Sequence, residues 1–332
     1  MEAPSHLAAC SGSIAFTDAV AALCRGELVA FPTETVYGLG ADAGNAQAIA
    51  ALYAAKGRPS THPVIVHIAN SAALAEWALE IPPAAERLAD ACWPGPLTLV
   101  LKRAPHVLDA VTGGQDTVAV RCPDHPLALA LLEACAKAGV AGLVAPSANR
   151  FGRVSPTSAA HVRQEFGAEI AGVLDGGACA VGIESTIVDV STGSPRVLRP
   201  GMVTEARIAA VLGEALGDIR APAPRVSGGL ATHYAPQTPV QLVAAGALPA
   251  ATATGRVVVL AFHQSLSTLP QRADLLRRTA PDHADDYARA LYASLREMDA
   301  LGCARIVVEQ PPGTDSWRGI NDRLQRAAAA GL

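Results

Sequence analysis

The stretch TVAVRCPDHPLALALLEACAKAGVAGLVAPSAN, residues 117–149, decides the fold class of this chain. In residues 117–121, Val118 and Val120 alternate with the other side chains, as in a strand with one apolar face. Leu127 to Ala138 have the length and apolar content of a helix. Leu143 to Ala145 are again a short apolar run typical of a strand. A strand, a helix and a strand in this order indicate an α/β fold.

The same mixture of short apolar runs and helical segments continues outward from this stretch. Further strands are predicted at residues 28–31, 64–68, 185–190 and 197–198. Further helices are predicted at residues 19–24, 45–56 and 157–166. The α/β domain is therefore expected to extend to about residue 205.

A second, smaller domain is predicted after a Pro-rich segment. Arg220 to Gly229 have the composition of a linker. Beyond it, strands are predicted at residues 257–261 and 305–309, and helices at residues 285–301 and 320–330. This β–α–β–α order is typical of a parallel sheet, and a length of 332 residues fits two domains.

Composition and charge argue against several classes of protein. The net charge is −4, whereas proteins that bind nucleic acid tightly usually carry a basic excess. No two of the seven cysteines have C-x-x-C spacing, and no secretory signal precedes them. The longest apolar region, Leu127 to Val144, is interrupted by Glu133 and Lys137. We therefore expect a cytoplasmic protein with free thiols, no metal site of its own and no membrane span.

The common nucleotide and hydrolase motifs are absent. There is no G-x-x-x-x-G-K-[ST] loop, and Gly38 to Gly44 match a dinucleotide fingerprint only loosely because Pro32 interrupts the preceding strand. We expect these glycines to form a tight turn. Ser147 lacks the G-x-S-x-G frame of a nucleophile, which favours catalysis by positioning and charge.

Polar side chains interrupt strands that should otherwise be apolar. They are His67, Thr117, Arg121, Ser147, Asn149, Ser185 and Arg199. Each alone has an ordinary structural explanation as a core histidine, a cap or an ion-pair partner. Their coincidence on five predicted strands favours a single polar ligand cleft instead.

Two cations flank a glycine at the end of the helix predicted at residues 45–56. Lys56 and Arg58 either complement the helix dipole and face water or contribute to a phosphate site. The phosphate interpretation is preferred because Ser147, Asn149 and Arg199 are expected in the same cleft. Arg and Lys are also the side chains that bind phosphate.

These residues fall within a set of motifs that resembles the YrdC-like threonylcarbamoyl-AMP synthases. The motifs occur in the order of that family, between about residues 14 and 203. They are FPTETVYGLG (31–40), KGRP (56–59), HPVIVH (62–67), WPGPLT (93–98), VRCP (120–123), APSAN (145–149), IESTI (183–187) and LRPG (198–201). HYAP (233–236) resembles the linker signature of the longer, two-domain form of the family.

The resemblance implies both the architecture and the reaction. We expect a YrdC-like, twisted mixed-sheet domain with a polar concave cleft at residues 13–205. We expect a linker that closes over the active site at 206–237 and a Rossmann-like parallel-sheet domain at 238–332. The implied reaction makes a carbamate from L-threonine and bicarbonate or CO2. The carbamate then attacks the α-phosphate of ATP and gives threonylcarbamoyl-AMP and pyrophosphate.

The resemblance also implies partners. ATP is expected as a substrate, with Mg²⁺ carried by its phosphates. A separate threonylcarbamoyl transferase complex is expected to pass the group to an adenosine beside the tRNA anticodon. Because this chain is acidic overall, weak or no direct binding of tRNA is expected.

Site residues are carried over position by position. Contacts to L-threonine are expected from Thr35, His67, Arg121, Ala145 and Ser185, with Arg121 suited to the substrate carboxylate. Contacts to ATP are expected from Arg58, His62, Thr117, Ser147, Asn149, Ser155, Arg199 and Tyr234. Lys56, Arg58 and Arg199 are expected to neutralise phosphate charge during the reaction.

Three alternatives from other classes stay open at this point. An RNA-binding or ribosome-associated protein could use the same cleft, although few aromatics are available for stacking. A carbamoyl-transferring module of hydrogenase-maturation proteins would be accompanied by acylphosphatase-like and zinc-finger segments, which are absent. A regulatory module formed by the second domain is the third. The linker sequence SGGLATH (227–233) lacks the basic residues found in some relatives, so linker contacts to phosphate are also open.

Overall fold

Two sheets organise the part of the chain that the computed structural model describes, residues 12–218, 223–230 and 232–331. Nine strands form the first sheet and four form the second. Residues 219–222 and 231 of the predicted linker lie outside the described residues, as do Cys10 and Leu332. The two sheets correspond to the two predicted domains.

The first sheet is mixed, as expected. Its strands are β1 (Val29–Phe31), β2 (Gly38–Asp42), β3 (Ile65–His67), β4 (Leu97–Lys102), β5 (Thr117–Arg121), β6 (Leu143–Val144), β7 (Gly172–Val173), β8 (Thr186–Asp189) and β9 (Arg196–Arg199). Their spatial order is β7-β1-β2-β6-β3-β5-β4-β8-β9. The pairs β1–β7, β3–β5 and β4–β8 are parallel, and the other neighbours are antiparallel.

Seven helices accompany this sheet in the described residues. They are α1 (Phe16–Cys24), α2 (Ala46–Lys56), α3 (Pro83–Cys92), α4 (Asp109–Thr112), α5 (Pro126–Lys137), α6 (Ala159–Phe166) and α7 (Glu205–Leu212). The bounds of α2 follow from local chemistry, because Asn45 accepts the first free N–H groups through its side chain. Gly57 ends α2 in a left-handed conformation, with φ of 64°. The chain therefore turns sharply between Lys56 and Arg58.

The second sheet is wholly parallel, which confirms the prediction for the C-terminal region. Its strands are β10 (Val240–Val243), β11 (Val257–Ala261), β12 (Leu275–Thr279) and β13 (Arg305–Glu309), in the order β10-β13-β11-β12. The helices are α8 (Leu248–Ala251), α9 (His263–Ser267), α10 (Ala284–Asp299) and α11 (Arg318–Ala328). Both α10 and α11 bury apolar faces in a core shared with β11 and β13.

One local prediction was wrong. The glycines at 38 and 40 lie in strand β2 and not in a tight turn. A Cβ atom at Gly40 would lie 2.9 Å from the ring of Phe31 on the neighbouring strand β1. These glycines therefore leave room for an aromatic side chain across the pair of strands, which is a recognised use of glycine in sheets.

Two further findings bear on the composition argument. No helix of the described residues is long and apolar enough to cross a membrane. The described cysteines are free thiols, and four of them, Cys122, Cys135, Cys179 and Cys303, are buried.

Candidate functional site

A partly enclosed cavity lies where the first sheet, the end of α2 and the described parts of the linker meet. It encloses about 40 Å³ of free space. Its lining residues are Thr35, Val36, Lys56, Arg58, Ile65, His67, Arg121, Ala145, Pro146, Ser147, Asn149, Phe151, Glu184, Ser185, Arg199, Ser227, His233 and Tyr234. All of the predicted site residues except His62, Thr117 and Ser155 line this one cavity.

The strand ends explain why the polar side chains converge. His67 and Arg121 are the last residues of the parallel strands β3 and β5, and they lie directly opposite each other. Ser185 immediately precedes β8, and Arg199 ends β9 beside Ile187. The ends of four strands of one sheet therefore deliver these polar side chains to the same place.

Four cations are buried around the cavity. The exposed fractions are 2% for Lys56, 7% for Arg58, 4% for Arg121 and 2% for Arg199. The alternative in which Lys56 and Arg58 face water is therefore wrong. Because burying cations without an anion is costly, such a cluster is typical of a site that receives an anionic ligand.

Lys56 is tied to the loop that follows β6. Its Nζ donates hydrogen bonds to the backbone carbonyls of Ser147 and Asn149. Burial, together with the nearby Arg58 guanidinium, holds the pKa of Lys56 well below its usual value. An ammonium group has three donors, so two are used within the protein and one remains.

Arg58 and Arg199 have neutral partners only, among the described residues. Arg58 donates from Nη2 to the Pro63 carbonyl at 2.9 Å, and its buried Nε has no hydrogen-bond partner. Arg199 donates from Nε and Nη2 to the Ser185 carbonyl at 3.1 and 2.8 Å, and from Nη1 to the Ser227 carbonyl at 3.0 Å. Neither guanidinium is within ion-pair distance of a described carboxylate, although the charge of Arg199 helps to keep Glu184 ionised. Both guanidinium groups can therefore still bind an anionic ligand.

Arg121 differs, because it faces Glu34. Arg121 Nη2 lies 2.6 Å from Glu34 Oε1, and both side chains are almost fully buried. The two groups are not aligned for a hydrogen bond, whereas Arg121 Nε donates to the Gly95 carbonyl at 3.3 Å. A substrate carboxylate would therefore use the remaining N–H groups of Arg121. Glu34 was missed as a site residue, although a carboxylate inside the motif FPTETVYGLG was a visible signal.

Hydroxyl groups are paired within the site. Ser185 Oγ lies 2.7 Å from Thr98 Oγ1, and Thr35 Oγ1 lies 2.9 Å from Thr33 Oγ1. Thr98 and Thr33 were not predicted to belong to the site. The Ser185–Thr98 pair can donate one further hydrogen bond. The Thr33 hydroxyl already donates to the Val36 carbonyl at 2.6 Å, so Thr35 donates to Thr33 and can only accept from a ligand.

The two histidines of the cavity are neutral over the physiological range. Burial, with a smaller contribution from Arg121, lowers the pKa of His67 to about 3. Burial likewise lowers the pKa of His233 to about 3. Both rings can therefore donate or accept hydrogen bonds, but neither adds charge.

The described parts of the linker cover the site. Tyr234 is 1% exposed and has a left-handed backbone conformation, with φ of 60°. Its ring contacts His233 edge-on, with ring centres 4.1 Å apart. Val226 packs on the apolar patch of Ile65, Val100 and Ile187 on the face of the sheet. The linker thereby lies over the strands that carry the polar residues.

Three predicted site residues do not line the cavity, and the structure places each of them differently. Ser155 is buried behind the lining residue Glu184, to which its hydroxyl donates a hydrogen bond at 2.6 Å. The ring of His62 packs edge-on against Phe151, 5.7 Å between centres. Thr117 begins β5, four residues before Arg121, and lines two other pockets. The structure therefore does not bring Thr117 to the cavity.

Glu184 is the carboxylate that lines the cavity in the described residues, and it was missed from the sequence. Its Oε1 accepts from Ser155, and its Oε2 accepts from Tyr292 at 2.9 Å and Arg323 at 2.7 Å. Although burial opposes ionisation, Arg323 and Arg199 lower the pKa of Glu184 to about 2. Its partners on α10 and α11 lie more than 100 residues away, where no local pattern indicates them.

The described residues contain no group of three or more His, Cys, Asp or Glu side chains that could hold a metal ion. The oxygens of Glu184 are already engaged by three donors. The donors of the lining are thus suited to anions and not to a cation.

Two family models together match nearly the whole chain. The Sua5/YciO/YrdC model, described as "Telomere recombination", matches residues 21–201. The model described as "Threonylcarbamoyl-AMP synthase, C-terminal domain" matches residues 203–329.

Similar proteins and structures agree with these matches. A threonylcarbamoyl-AMP synthase of Bacillus subtilis is 40% identical over 93% of this chain and 92% of that protein. One from Pyrococcus abyssi is 38% identical over 92% of this chain and 91% of the relative. A crystal structure of P. abyssi Sua5 complexed with L-threonine has a TM-score of 0.85 and 36% identity, covering 95% of this chain and 94% of that one. These findings do not favour the RNA-binding alternative.

Proposed function

We propose that the cavity is the active site of this chain, which belongs to the threonylcarbamoyl-AMP synthase family. As a member of that family, the chain is an enzyme that uses ATP to make threonylcarbamoyl-AMP. The observation that carries this proposal is the convergence of Lys56, Arg58, Arg121 and Arg199 on one buried space. Both ATP and a carbamate are anionic, and buried cations stabilise anions more strongly than exposed ones.

We propose that L-threonine binds at the ends of β3 and β5. Arg121 would receive its carboxylate, and the neutral ring of His67 lies directly opposite. Ser185 and Thr35 offer hydroxyl groups, and the Ala145 backbone lines the same side of the cavity. The relative from P. abyssi, whose structure contains L-threonine, shares the fold of this chain.

The triphosphate of ATP is assigned to the other side, between the end of α2 and the end of β9. Arg58 and Arg199 have no carboxylate partners among the described residues, so each can bind a phosphate oxygen. Ser147 and Asn149 are held in the lining by Lys56, which connects α2 to their backbone. Ser155, His62 and Thr117 are proposed to contact ATP only after the linker moves, since none of them lines the cavity.

The proposed reaction has two steps. The amine of threonine and CO2, supplied as bicarbonate, give a carbamate and release a proton. A carbamate oxygen attacks the α-phosphorus of ATP, and the bond to the bridging oxygen of pyrophosphate breaks. Two anions must approach each other in this step, so Arg58 and Arg199 act by neutralising charge and holding the reacting atoms in line.

We propose that Mg²⁺ enters with ATP and is held by the phosphates. The lining offers cations and hydroxyl groups, and its carboxylate Glu184 is fully engaged. When bound, the ion would supply further neutralisation of phosphate charge. The protein residues named above bind and orient the substrates around it.

Tyr234 is proposed to act as a lid. The cavity has about 40 Å³ of free space, which is far too small for ATP, and movement of the covering linker segment would make room for the substrates. Once it closes, Tyr234 excludes water from an adenylate that water would hydrolyse.

The domain boundaries also remain a proposal, with catalytic residues 13–205, a linker at 206–237 and a second domain at 238–332. The gap between the end of β9 at Arg199 and the start of β10 at Val240 supports this division. Helix α7 packs against α3, and Arg207 donates to the Ala91 carbonyl. We therefore propose that α7, which forms the first part of the linker, stays fixed on the catalytic domain when the rest of the linker moves.

We further propose that the product passes to a separate threonylcarbamoyl transferase complex in the cytoplasm, with little direct contact between this chain and tRNA. An adenylate is reactive towards water, so a direct transfer would preserve it. The net charge of −4 supports weak binding of tRNA.

The proposed function is tested by a pyrophosphate-release assay scanned over the amino acids, with and without bicarbonate. We expect release only when ATP, L-threonine and bicarbonate are all present. Release with ATP alone, or equally with every amino acid, would contradict the assignment.

A further inference from the structure

One wall of the proposed active site is supported from behind by the second domain. Arg323, on α11, has a side chain that is 0% exposed and points into the first domain. It donates from Nε to Glu184 Oε2 at 2.7 Å, from Nη2 to the Glu184 carbonyl at 3.2 Å and from Nη1 to the Pro200 carbonyl at 3.0 Å. A single side chain of the second domain therefore contacts the segments before β8 and after β9.

These contacts lead directly to the residues of the cavity. Glu184 lines the cavity and is followed by Ser185, whose carbonyl accepts two hydrogen bonds from Arg199. Arg199 Nη2 also donates to Ser185 Oγ at 3.1 Å. A displacement of Glu184 would therefore move a proposed threonine contact and a proposed phosphate contact together.

The second domain holds the lid residue as well. The Arg323 guanidinium lies 5.2 Å from the centre of the Tyr234 ring. Tyr292, on α10, stacks on Tyr234 with ring centres 5.8 Å apart and donates its hydroxyl to Glu184. Glu184 and Tyr234 are thus fixed by the same two side chains.

Stability alone is a poor explanation for this arrangement. A buried ion pair loses most of its attraction to desolvation and is often no more stable than an apolar replacement. Arg323 also pairs with Asp322 at 2.6 Å. Keeping the buried guanidinium charged therefore requires a second carboxylate, which is largely desolvated as well. What the arrangement does provide is a fixed geometry at the cavity wall.

We propose that Arg323 is a positioning residue for the reaction, through which the second domain fixes the Glu184–Ser185 segment and with it the Arg199 guanidinium. This inference rests on the proposed location of the active site. It gives the second domain a defined part in the chemistry, although none of its described side chains lines the cavity.

The test compares steady-state kinetics of pyrophosphate release by full-length Arg323→Met, Arg323→Lys and Arg318→Met. Arg318 is the matched control, because it also lies on α11 and pairs across the domains with Glu205, but at the surface. For Arg323→Met we expect kcat/KM for ATP to fall about 100-fold, with a raised KM for both ATP and threonine, as for other misplaced reacting groups. Arg323→Lys should be intermediate, since an ammonium can reach Glu184 but not Pro200 as well.

A purely structural role predicts a different result. A variant that is only less stable has a smaller active fraction, which lowers apparent kcat and leaves both KM values unchanged. Unchanged KM values in Arg323→Met would therefore overturn the proposal, whatever its melting temperature. If Arg323→Met does not fold, Tyr292→Phe replaces it in the test, because this variant removes one hydrogen bond to Glu184. Unchanged KM values for ATP and threonine in Tyr292→Phe would then overturn the proposal. The proposed function is judged separately, by whether the wild type and Arg318→Met release pyrophosphate only with threonine and bicarbonate. If they do, a failure of the Arg323 proposal leaves the proposed function intact.

Discussion

The two sheets of this protein bury polar residues in different ways. Around the first sheet, several buried polar atoms have no hydrogen-bond partner in the part of the chain that the structure describes. They include both carboxylate oxygens of Glu34, Nε of Arg58 and Nη2 of Arg121. In the second sheet, the buried carboxylate of Glu309 accepts from the Phe262 N–H and the Ser265 hydroxyl, each at 2.8 Å. Helices of the second domain also carry unpartnered buried atoms, on Tyr287, Arg296 and Asn321. Since unsatisfied buried groups are expensive, the charged groups left without hydrogen-bond partners beside the first sheet indicate a ligand there, whereas the buried carboxylate of the second sheet is already satisfied by the protein.

The largest expected effect separates two arginines of the same strand, β9. Arg199→Met should lower kcat/KM for ATP roughly 100-fold, because a charge stabiliser of the reaction is lost. Arg196 pairs with Asp189, whose side chain is 0% exposed. Arg196→Met should therefore lower the unfolding free energy by about 3–5 kcal/mol and leave KM unchanged. Kinetics and urea unfolding of both variants provide the measurement, and equal kinetic losses would contradict the distinction.

Arg121→Ala should act mainly on threonine. Loss of a charged hydrogen-bonding partner costs about 1.5–3 kcal/mol, which corresponds to a rise of roughly 10- to 100-fold in the KM for threonine. The KM for ATP should change much less. Initial rates with each substrate varied in turn distinguish the two, and an equal rise in both constants would count against the assigned role.

Tyr234→Ala should raise the KM for ATP about 10-fold and lower the yield of intact adenylate, because the lid over the cavity is lost. The comparison is Tyr287→Ala, which removes a buried tyrosine of the second domain, where Tyr287 packs against Trp317. That variant should lower the melting temperature with little change in KM. Unchanged ATP affinity and product yield in Tyr234→Ala would remove the lid from the account.

Acid should weaken the first sheet before the second. His67 and His233 are held neutral in the folded state, whereas unfolded histidine takes up a proton below about pH 6.5. The unfolded state then binds more protons, so stability is lost as the pH falls below that value. At pH 5 the loss should be about 2 kcal/mol for each of the two histidines.

Hydrogen exchange at pH 7 and pH 5, corrected for intrinsic rates, measures this difference strand by strand. Protection should fall in β3 and β5 and change less in β11 and β13, because the described histidines of the second domain, His263 and His283, are exposed. An equal loss of protection in both sheets would contradict the prediction.

The smallest effect concerns Glu309→Gln. The carboxyl ends of parallel strands are where open α/β sheets usually bind ligands, and Glu309 itself fills this position beside β11. The substitution should cost about 1 kcal/mol in urea unfolding and leave both KM values unchanged. A raised KM for ATP would show that the second sheet also binds a substrate.

The sequence was most informative where apolar runs are isolated. The predicted bounds of β5, β11 and β13 agree with the structure because each strand is a short run rich in β-branched residues, mostly Val. Strand β2 was missed because its glycines resemble a turn, and only the Phe31 ring across the strand pair explains them.

The site was predictable to the extent that strands carry its residues. His67, Arg121 and Arg199 stand out as polar residues at strand ends, and family motifs supplied the rest. The partnership of Glu184 with Arg323 spans 139 positions and depends on the packing of one domain on the other. No periodicity or local spacing encodes such a contact, so it had to come from the structure.

The central claim is that the unmatched polar groups of the first sheet bind both substrates. The most direct measurement is a crystal structure of the wild-type chain with L-threonine and an ATP analogue that resists cleavage between the α- and β-phosphates. We predict that the threonine carboxylate lies against Arg121 and the phosphates against Arg58 and Arg199. A nucleotide bound elsewhere, for example at the carboxyl ends of β11 and β13, would contradict the account.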